Sequence, residues 1–235
     1  MDRTLVKFRH CGHDIYCFSD HVNACYEPVA LCSHAFPVEC VVTKSRLLYC
    51  PVCFERLKFN ILDAPVSIPC PFTNGHKVPC AFCIGSMHGP LHFSDLDDSE
   101  LHVGITNSEG VVYNYTLTGI RRDESGWEQC ISVPLVQPDS DSLKKQWDGE
   151  LEQFSCLALW GPERFYEERE FGSSCYAFVL TFINHMQDKE GKSCLTRDEF
   201  TGRYVLPRMK IVSKYIKVYQ EISKHSFYVV DKSRD

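Results

Sequence analysis

The chain has 235 residues, and its formal net charge at pH 7 is −6. The length fits one large domain, or one domain with a small appendage, and the composition is that of a globular protein. The negative charge disfavours a nucleic-acid-binding protein, because phosphate contacts require clustered Lys and Arg side chains.

The apolar segments are too short to cross a membrane. The longest, residues 175–183, is about half of the roughly 18 to 20 residues that a spanning helix needs. The N-terminus lacks the apolar core of a signal peptide. We therefore expect a soluble protein of the cytoplasm or nucleus, where disulfides are rare. Its 14 cysteines are predicted to be free thiols or metal ligands.

Cysteine density divides the sequence, since ten of the 14 cysteines lie between Cys11 and Cys83. We predict a Cys-rich module at residues 1–62, a Pro-rich connector at 63–94 and an α+β domain at 95–235. The five prolines of the connector rule out regular helix over most of its length.

Apolar alternation in the module predicts strands at residues 5–8 and 15–18, separated by a turn. Residues 20–48 mix Cys, His, Pro and apolar residues without periodicity, so we interpret them as an insertion. Residues 57–61 are predicted to return as a strand.

The sharpest motif of the module is Cys50-Pro-Val-Cys53. Two thiolates two residues apart at a turn can both bind one tetrahedral zinc ion. Cys11 and His13 are the best candidates for the other two ligands, although Phe8 stands where a regular knuckle has a second Cys. We predict one zinc ion bound by these four residues. The alternative is a ribbon-like module without metal, whose cysteines are small buried apolar residues.

Other cysteines offer less specific ligand sets. A second set in the connector consists of Cys70, His76, Cys80 and Cys83. A CxxC pair alone is a frequent false positive, so the first set is preferred. The predicted insertion holds Cys25, Cys32 and Cys40, and no spacing among them defines a site.

The main domain begins with β-structure. Alternation and a turn around Gly110 predict a hairpin of residues 101–106 and 111–115, and residues 127–133 read as a further strand. A short strand is predicted at 227–230.

Helical periodicity then dominates. It predicts helices over residues 140–154, 175–187 and 210–223, the second of them apolar almost all round and therefore buried. Thr196 opens a capping box, which predicts a short helix that ends before Pro207.

His102 lies on a predicted strand, and Cys175 lies where a helix begins. The free N–H groups of a helix N-terminus stabilise a thiolate. A nearby imidazole can accept the thiol proton and later return it, so the pair predicts a nucleophile and its base. The alternative is that Cys175 is a small core residue and His102 a surface or buried hydrogen-bonding residue.

The order of a His on a strand and then a Cys on a helix resembles circularly permuted papain-like domains, over roughly residues 95–190. These include the lecithin-retinol acyltransferase and PPPDE isopeptidase types. The resemblance implies an antiparallel sheet with packed helices and thiol chemistry. In such enzymes a third polar group often orients the histidine, and Asn107, Tyr113 and Asn114 are the candidates.

Several strings together resemble one further family, of unknown function. They occupy residues 8–16, 50–53, 64–69, 71–76, 101–107, 110–115 and 180–184. On these strings the chain is similar to the makorin-2 opposite-strand family over nearly its whole length. That family has no established activity to carry over. Its first knuckle leads almost directly into the CPVC pair, which agrees with an insertion at 20–48.

Two functions follow from these patterns. The preferred hypothesis is a non-catalytic protein-interaction module, with a zinc-ribbon-like N-terminus on an inactive papain-like core. It would bind an unidentified protein partner, and neither a membrane nor a nucleic acid. The alternative is a thiol hydrolase, isopeptidase or acyltransferase that uses Cys175 and His102. Approach of these two side chains to hydrogen-bonding range would favour the enzyme.

Overall fold

The computed structural model describes residues 3–22, 49–59, 64–86, 89–91, 101–137, 140–167 and 174–230. Two compact units emerge: the first contains residues 1–70 and 215–235, and the second contains residues 71–214. Most of the predicted insertion, with Cys25, Cys32 and Cys40, lies outside the described residues.

The first unit is built on a four-stranded antiparallel sheet in the order β3-β1-β2-β9. Its strands are β1 (Leu5–His10), β2 (His13–Phe18), β3 (Val66–Ile68) and β9 (Tyr228–Val230), and a short helix α1 (Ser19–Val22) follows β2. The turn of the β1–β2 hairpin is Cys11-Gly12, and both residues have positive φ. Two such residues give the tight turn that matches the twist of a hairpin.

The segment from Tyr49 to Arg56 forms a small knuckle beside this sheet, closed by an antiparallel bridge between its two ends. Cys50 and Leu57 are buried in the core of the first unit. The strand predicted at 57–61 is absent over residues 57–59, which the structure describes. Its apolar residues signalled burial, and no partner strand pairs with them there.

The second unit contains a five-stranded antiparallel sheet in the order β7-β6-β5-β4-β8. The strands are β4 (Ala81–Ser86), β5 (Leu101–Thr106), β6 (Val112–Thr116), β7 (Gly119–Asp123) and β8 (Ile131–Pro134). The predicted hairpin is confirmed as β5 and β6. The strand expected at 127–133 is shorter and begins at Ile131.

The segment predicted as a connector is divided between the two sheets, since it supplies β3 to the first and β4 to the second. The predicted boundaries at 63 and 94 therefore differ from the observed units. Its prolines flank these strands and do not interrupt them, so each strand keeps the N–H groups that its ladder needs.

Three longer helices and one short helix complete the fold: α2 (Asp141–Ser155), α3 (Ser174–Lys189), α4 (Arg197–Phe200) and α5 (Leu206–His225). The predicted capping box is present, because the Thr196 hydroxyl accepts from the Glu199 N–H and the Glu199 carboxylate accepts from the Thr196 N–H. None of the described helices has both the length and the apolar character needed to cross a bilayer.

The helical segment does not stop before Pro207 as predicted. A π-helical turn, Thr201–Val205, joins α4 to α5, and Pro207 occupies the first turn of α5. A π turn changes the hydrogen-bond spacing ahead of the ring, which lets a residue without an N–H be accommodated.

Helix α3 positions the candidate site. Its residues Ala177 to Ile183 are mostly buried, as the apolar pattern predicted, and it packs against β5 and β6. Trp147 of α2 meets Phe182 of α3 edge to face and donates its indole N–H to the Thr106 carbonyl, 2.9 Å away. The chain thus has the predicted α+β class, with the first turn of α3 held at the sheet.

Candidate active site and metal centre

The structure brings Cys175 and His102 together. Cys175 lies in the first turn of α3 and His102 near the start of β5, and their side chains are hydrogen-bonded. Both residues are partly exposed to solvent. Within the described residues β5 pairs with β6 only at Ile105 and Thr106. Helix α3 packs against both strands, and the Val103 N–H beside His102 is hydrogen-bonded to the Cys175 sulfur.

The thiol of Cys175 lies in surroundings that favour its ionised form. Burial raises its pKa, but the imidazole of His102 and the backbone N–H groups of Val103 and Cys175 lower it, and the net pKa is below the ordinary value. Donors directed at the sulfur stabilise a thiolate more than a thiol.

The imidazole of His102 shows the complementary shift. Burial lowers its pKa, but the hydrogen bond and charge of Cys175, the contact with Asn114 and the charge of Asp123 raise it, and the net pKa is above the ordinary value. Opposite shifts in two neighbouring groups favour transfer of the proton from sulfur to imidazole.

Asn114 is the third polar group beside His102. The imidazole Nε2 donates to Asn114 Oδ1 at 2.8 Å. Of the other two candidates, Asn107 caps its own turn by accepting from backbone N–H groups, and the Tyr113 hydroxyl donates to Glu152. Asn114 is therefore the one that orients the imidazole.

Two further residues support this arrangement, and sequence reasoning missed both. Asn114 Nδ2 donates to Asp123 Oδ2 at 2.7 Å, and the indole N–H of Trp127 donates to the same oxygen at 3.3 Å. The Trp127 ring also lies against the imidazole of His102, with 5.8 Å between ring centroids. Asp123 comes next to Asn114 through the pairing of β6 with β7, and Trp127 contacts Asp123 from the loop after β7, so neither forms a recognisable motif with His102 and Cys175 in the sequence.

A second cluster joins the β1–β2 turn to the knuckle of the first unit. Four side chains each place one possible metal-binding atom within 4.8 Å of the other three: His10, Cys11, Cys50 and Cys53. The sulfurs of Cys11 and Cys50 are 3.6 Å apart, and the Cys53 sulfur is 3.4 Å from His10 Nδ1.

These spacings fit a tetrahedral zinc site. Bond lengths of about 2.3 Å to sulfur and about 2.0–2.1 Å to nitrogen imply edges of about 3.8 Å between two sulfurs and about 3.5 Å between sulfur and nitrogen. Burial raises the pKa of Cys50, but the N–H groups of Cys53 and Val52 and the neighbouring thiols lower it to about 7. The cluster is therefore able to bind a metal ion.

The fourth member of this cluster is His10, and the predicted ligand His13 lies beside it. The two histidines face each other across the hairpin turn, so their spacing along the chain could not decide between them. His13 Nδ1 donates to the Cys11 carbonyl at 2.9 Å and lies 3.7 Å from the Cys11 sulfur.

The residues of the second predicted ligand set have other contacts. His76 binds backbone groups of Gly110 and Trp127, while Cys83 is buried and contacts Cys130 and Ser132. Across the described ranges, the one group of donors that could hold a metal is the cluster of His10.

Comparison with known proteins identifies the family. The DUF4796 C-terminal family matches residues 65–222, which is more than half of the chain. The chain belongs to the DUF4796 family. The human MKRN2 opposite strand protein is 41% identical over 230 residues, which cover 97% of this chain and 90% of that protein. The resemblance to the makorin-2 opposite-strand family, predicted from the sequence, is thereby confirmed. No solved structure matches the chain.

The DUF4796 match covers one of the two candidate sites. It spans His102, Asn114, Asp123 and Cys175, and it begins after the Cys50 knuckle. The polar cluster at α3 therefore lies within the residues that match the family, whereas the possible metal ligands are covered only by the alignment with the human protein.

Proposed function

We propose that this chain is a thiol hydrolase or acyl-transfer enzyme in which Cys175 is the nucleophile, His102 the base and Asn114 the group that orients the imidazole. One observation carries the proposal: the hydrogen-bonded series from Cys175 through His102 to Asn114, partly exposed at its sulfur end. This reverses the preference drawn from the sequence, where three candidates for the third residue were named and none could be chosen.

The reaction would begin with transfer of the Cys175 proton to the free ring nitrogen of His102. The sulfur would attack the carbonyl carbon of an ester, thioester or amide, and the imidazolium would protonate the leaving group. Water, or an amine in a transfer reaction, would then release the acyl group from sulfur. The N–H of Cys175 at the helix N-terminus is a suitable donor to the developing oxyanion.

A permuted papain-like architecture is part of the same proposal. Its support is the order of the elements: a His on a central strand, an orienting side chain on the next strand, and a Cys in the first turn of a later helix packed on that sheet. Fold resemblance alone does not establish activity, so the chemistry of Cys175 has to be measured.

The first experiment measures the rate at which iodoacetamide labels each cysteine, by peptide mass spectrometry at about pH 6.5. The exposed Cys156 and Cys194 are reference thiols within the same molecule. We expect Cys175 to react about tenfold faster or more, since a lowered pKa increases the thiolate fraction. His102→Ala should remove the difference. Labelling of Cys175 no faster than the reference thiols would reject the enzyme.

We further propose that the cluster of His10, Cys11, Cys50 and Cys53 binds one zinc ion, which would tie the β1–β2 turn to the knuckle. The fit of the donor spacings supports this. Elemental analysis should give about one zinc per chain in the wild type and in His13→Ala, and a clear loss in His10→Ala. Equal zinc content in these two variants would contradict the ligand assignment, and no zinc in any would contradict the metal.

A protein-interaction module of the cytoplasm or nucleus is the second candidate function. It is favoured by Phe54 and Tyr49, which lie on the Cys50 knuckle with 78% and 58% of their surfaces exposed. Exposed aromatic residues on a rigid support are typical anchors of protein interfaces. Cross-linking in cells should capture a protein with the wild type and with Leu117→Ser, an exposed control, but not with Phe54→Ser. Equal capture by both variants would count against this surface.

A further inference from the structure

The proposed chemistry of Cys175 depends on which nitrogen of His102 carries the proton. A neutral imidazole has one N–H and one lone pair, and only the lone pair accepts the proton of a thiol. Nε2 faces Asn114 Oδ1, and an amide oxygen only accepts hydrogen bonds. The proton is therefore on Nε2, and Nδ1 is left for the thiol.

This assignment holds only while Asn114 presents its oxygen to His102. Rotation of the amide by half a turn would present its NH₂ group instead, and Nε2 would then have to accept. The proton would move to Nδ1, where it would block transfer from Cys175. Another group must therefore hold the Asn114 amide in the orientation that presents its oxygen to His102.

Asp123 supplies that constraint. An ionised carboxylate has no proton to donate, so the group that approaches Oδ2 at 2.7 Å is the Asn114 NH₂. Rotation would place the amide oxygen against the carboxylate at a position where Asn114 is almost completely buried. Two facing acceptors without water are strongly unfavourable.

The two oxygens of the carboxylate have different contacts. The indole N–H of Trp127 donates to Oδ2 at 3.3 Å, and the Arg121 guanidinium lies 2.9 Å from Oδ1. Asp123 is largely shielded from solvent, whereas Arg121 is mostly exposed. The inner oxygen, facing Asn114 and Trp127, is therefore the one that matters for His102.

We infer that Asp123 is a positioning residue, which selects the His102 tautomer protonated at Nε2 by fixing the amide of Asn114. The role rests on the proposed function, because the tautomer matters for catalysis only if Cys175 is the nucleophile. Asp123 acts through two intervening residues, Asn114 and His102, and does not reach the sulfur itself.

The first test reads the tautomer directly and does not depend on catalysis. Nitrogen-15 NMR of the imidazoles is recorded on the full chain carrying Cys175→Ala, with and without Asp123→Asn, and His102→Gln assigns the signals. We expect the Nε2–H tautomer with Asp123 present, and a mixed or Nδ1–H population after the substitution. The same tautomer in both samples would overturn the inference.

The second test uses the pH profile of Cys175 alkylation. Asp123→Asn should reduce the rate at about pH 6.5 by about tenfold or more, which corresponds to at least one pKa unit. Arg121→Ala, a control at the outer oxygen, should leave the profile in place. The double variant Asn114→Asp with Asp123→Asn puts the carboxylate next to His102 and the amide behind it, and should recover the rate.

The outcomes separate the inference from the proposed function. If wild-type Cys175 reacts no faster than Cys156 and Cys194, the enzyme fails, while the NMR result still decides the role of Asp123. If wild-type Cys175 is fast and the Asp123→Asn profile coincides with it, the inference fails and the enzyme stands. Thermal unfolding of each variant identifies any loss of folding, and the double variant then replaces the single one.

Discussion

Gly104 of β5 is a position where one added methyl group should affect both folding and the candidate site. A Cβ there would lie 2.6 Å from Val112 Cγ1, 3.1 Å from the Tyr113 carbonyl oxygen and 3.3 Å from the Trp127 ring. Val112 is fully buried and β-branched, so it has little freedom to move. Overpacking of this kind costs about 1–3 kcal/mol, and we expect Gly104→Ala to lose that much stability.

The same substitution should slow the alkylation of Cys175, because Trp127 contacts both His102 and the carboxylate of Asp123. Urea unfolding followed by fluorescence measures the stability, and mass spectrometry measures the alkylation. Gly149→Ala is the matched control, because Gly149 lies in α2 and an added Cβ would have no other atom within 4 Å. It should stabilise the protein by about 0.5–1 kcal/mol. A Gly104→Ala protein as stable as the wild type would refute the reasoning.

Three further predictions concern other parts of the chain. Trp147→Phe should cost about 1–3 kcal/mol in urea unfolding, because the buried Thr106 carbonyl loses its 2.9 Å donor. Lys189 and His185 lower the pKa of Glu150, so its stabilising effect is present above its unfolded pKa and is lost as the pH falls through its folded pKa. Glu150→Gln should therefore reduce stability at about pH 6 more than at about pH 3. A strong chelator should increase hydrogen exchange in β1 and β2, if zinc ties their turn to the knuckle; unchanged exchange would count against it.

Local patterns predicted much of the fold. The β5–β6 hairpin, the helices α2 and α3 and the capping box at Thr196 each depend on residues close together in sequence. Strands β3 and β9 were harder to place, because each is short and forms only by pairing with a distant strand of the first sheet. A short strand is predicted at 227–230, where β9 lies, but nothing near it in sequence indicates that β2 is its partner.

The residues of the candidate site also differ in how far the sequence predicted them. His102 and Cys175 were predicted because a helix N-terminus and an imidazole have a chemical reason to be paired with a thiol. Asp123 has no such local reason, since it becomes a neighbour of Asn114 only through the pairing of β6 with β7, and Trp127 then contacts Asp123 from the loop that follows. The presence of His10 in the cluster was not predicted for a similar reason, because the direction of a side chain at a hairpin turn depends on the turn geometry.

The pairing of β9 with β2 makes the first sheet depend on a strand that is far from its partner along the chain. β9 is three residues long and pairs with Asp14, Ile15 and Tyr16 of β2. A chain cut before Tyr228 would leave this edge of β2 with unpaired N–H and C=O groups, which are a template for association with a strand of another molecule. Removal of β9 should therefore affect the solubility of the protein as well as its stability.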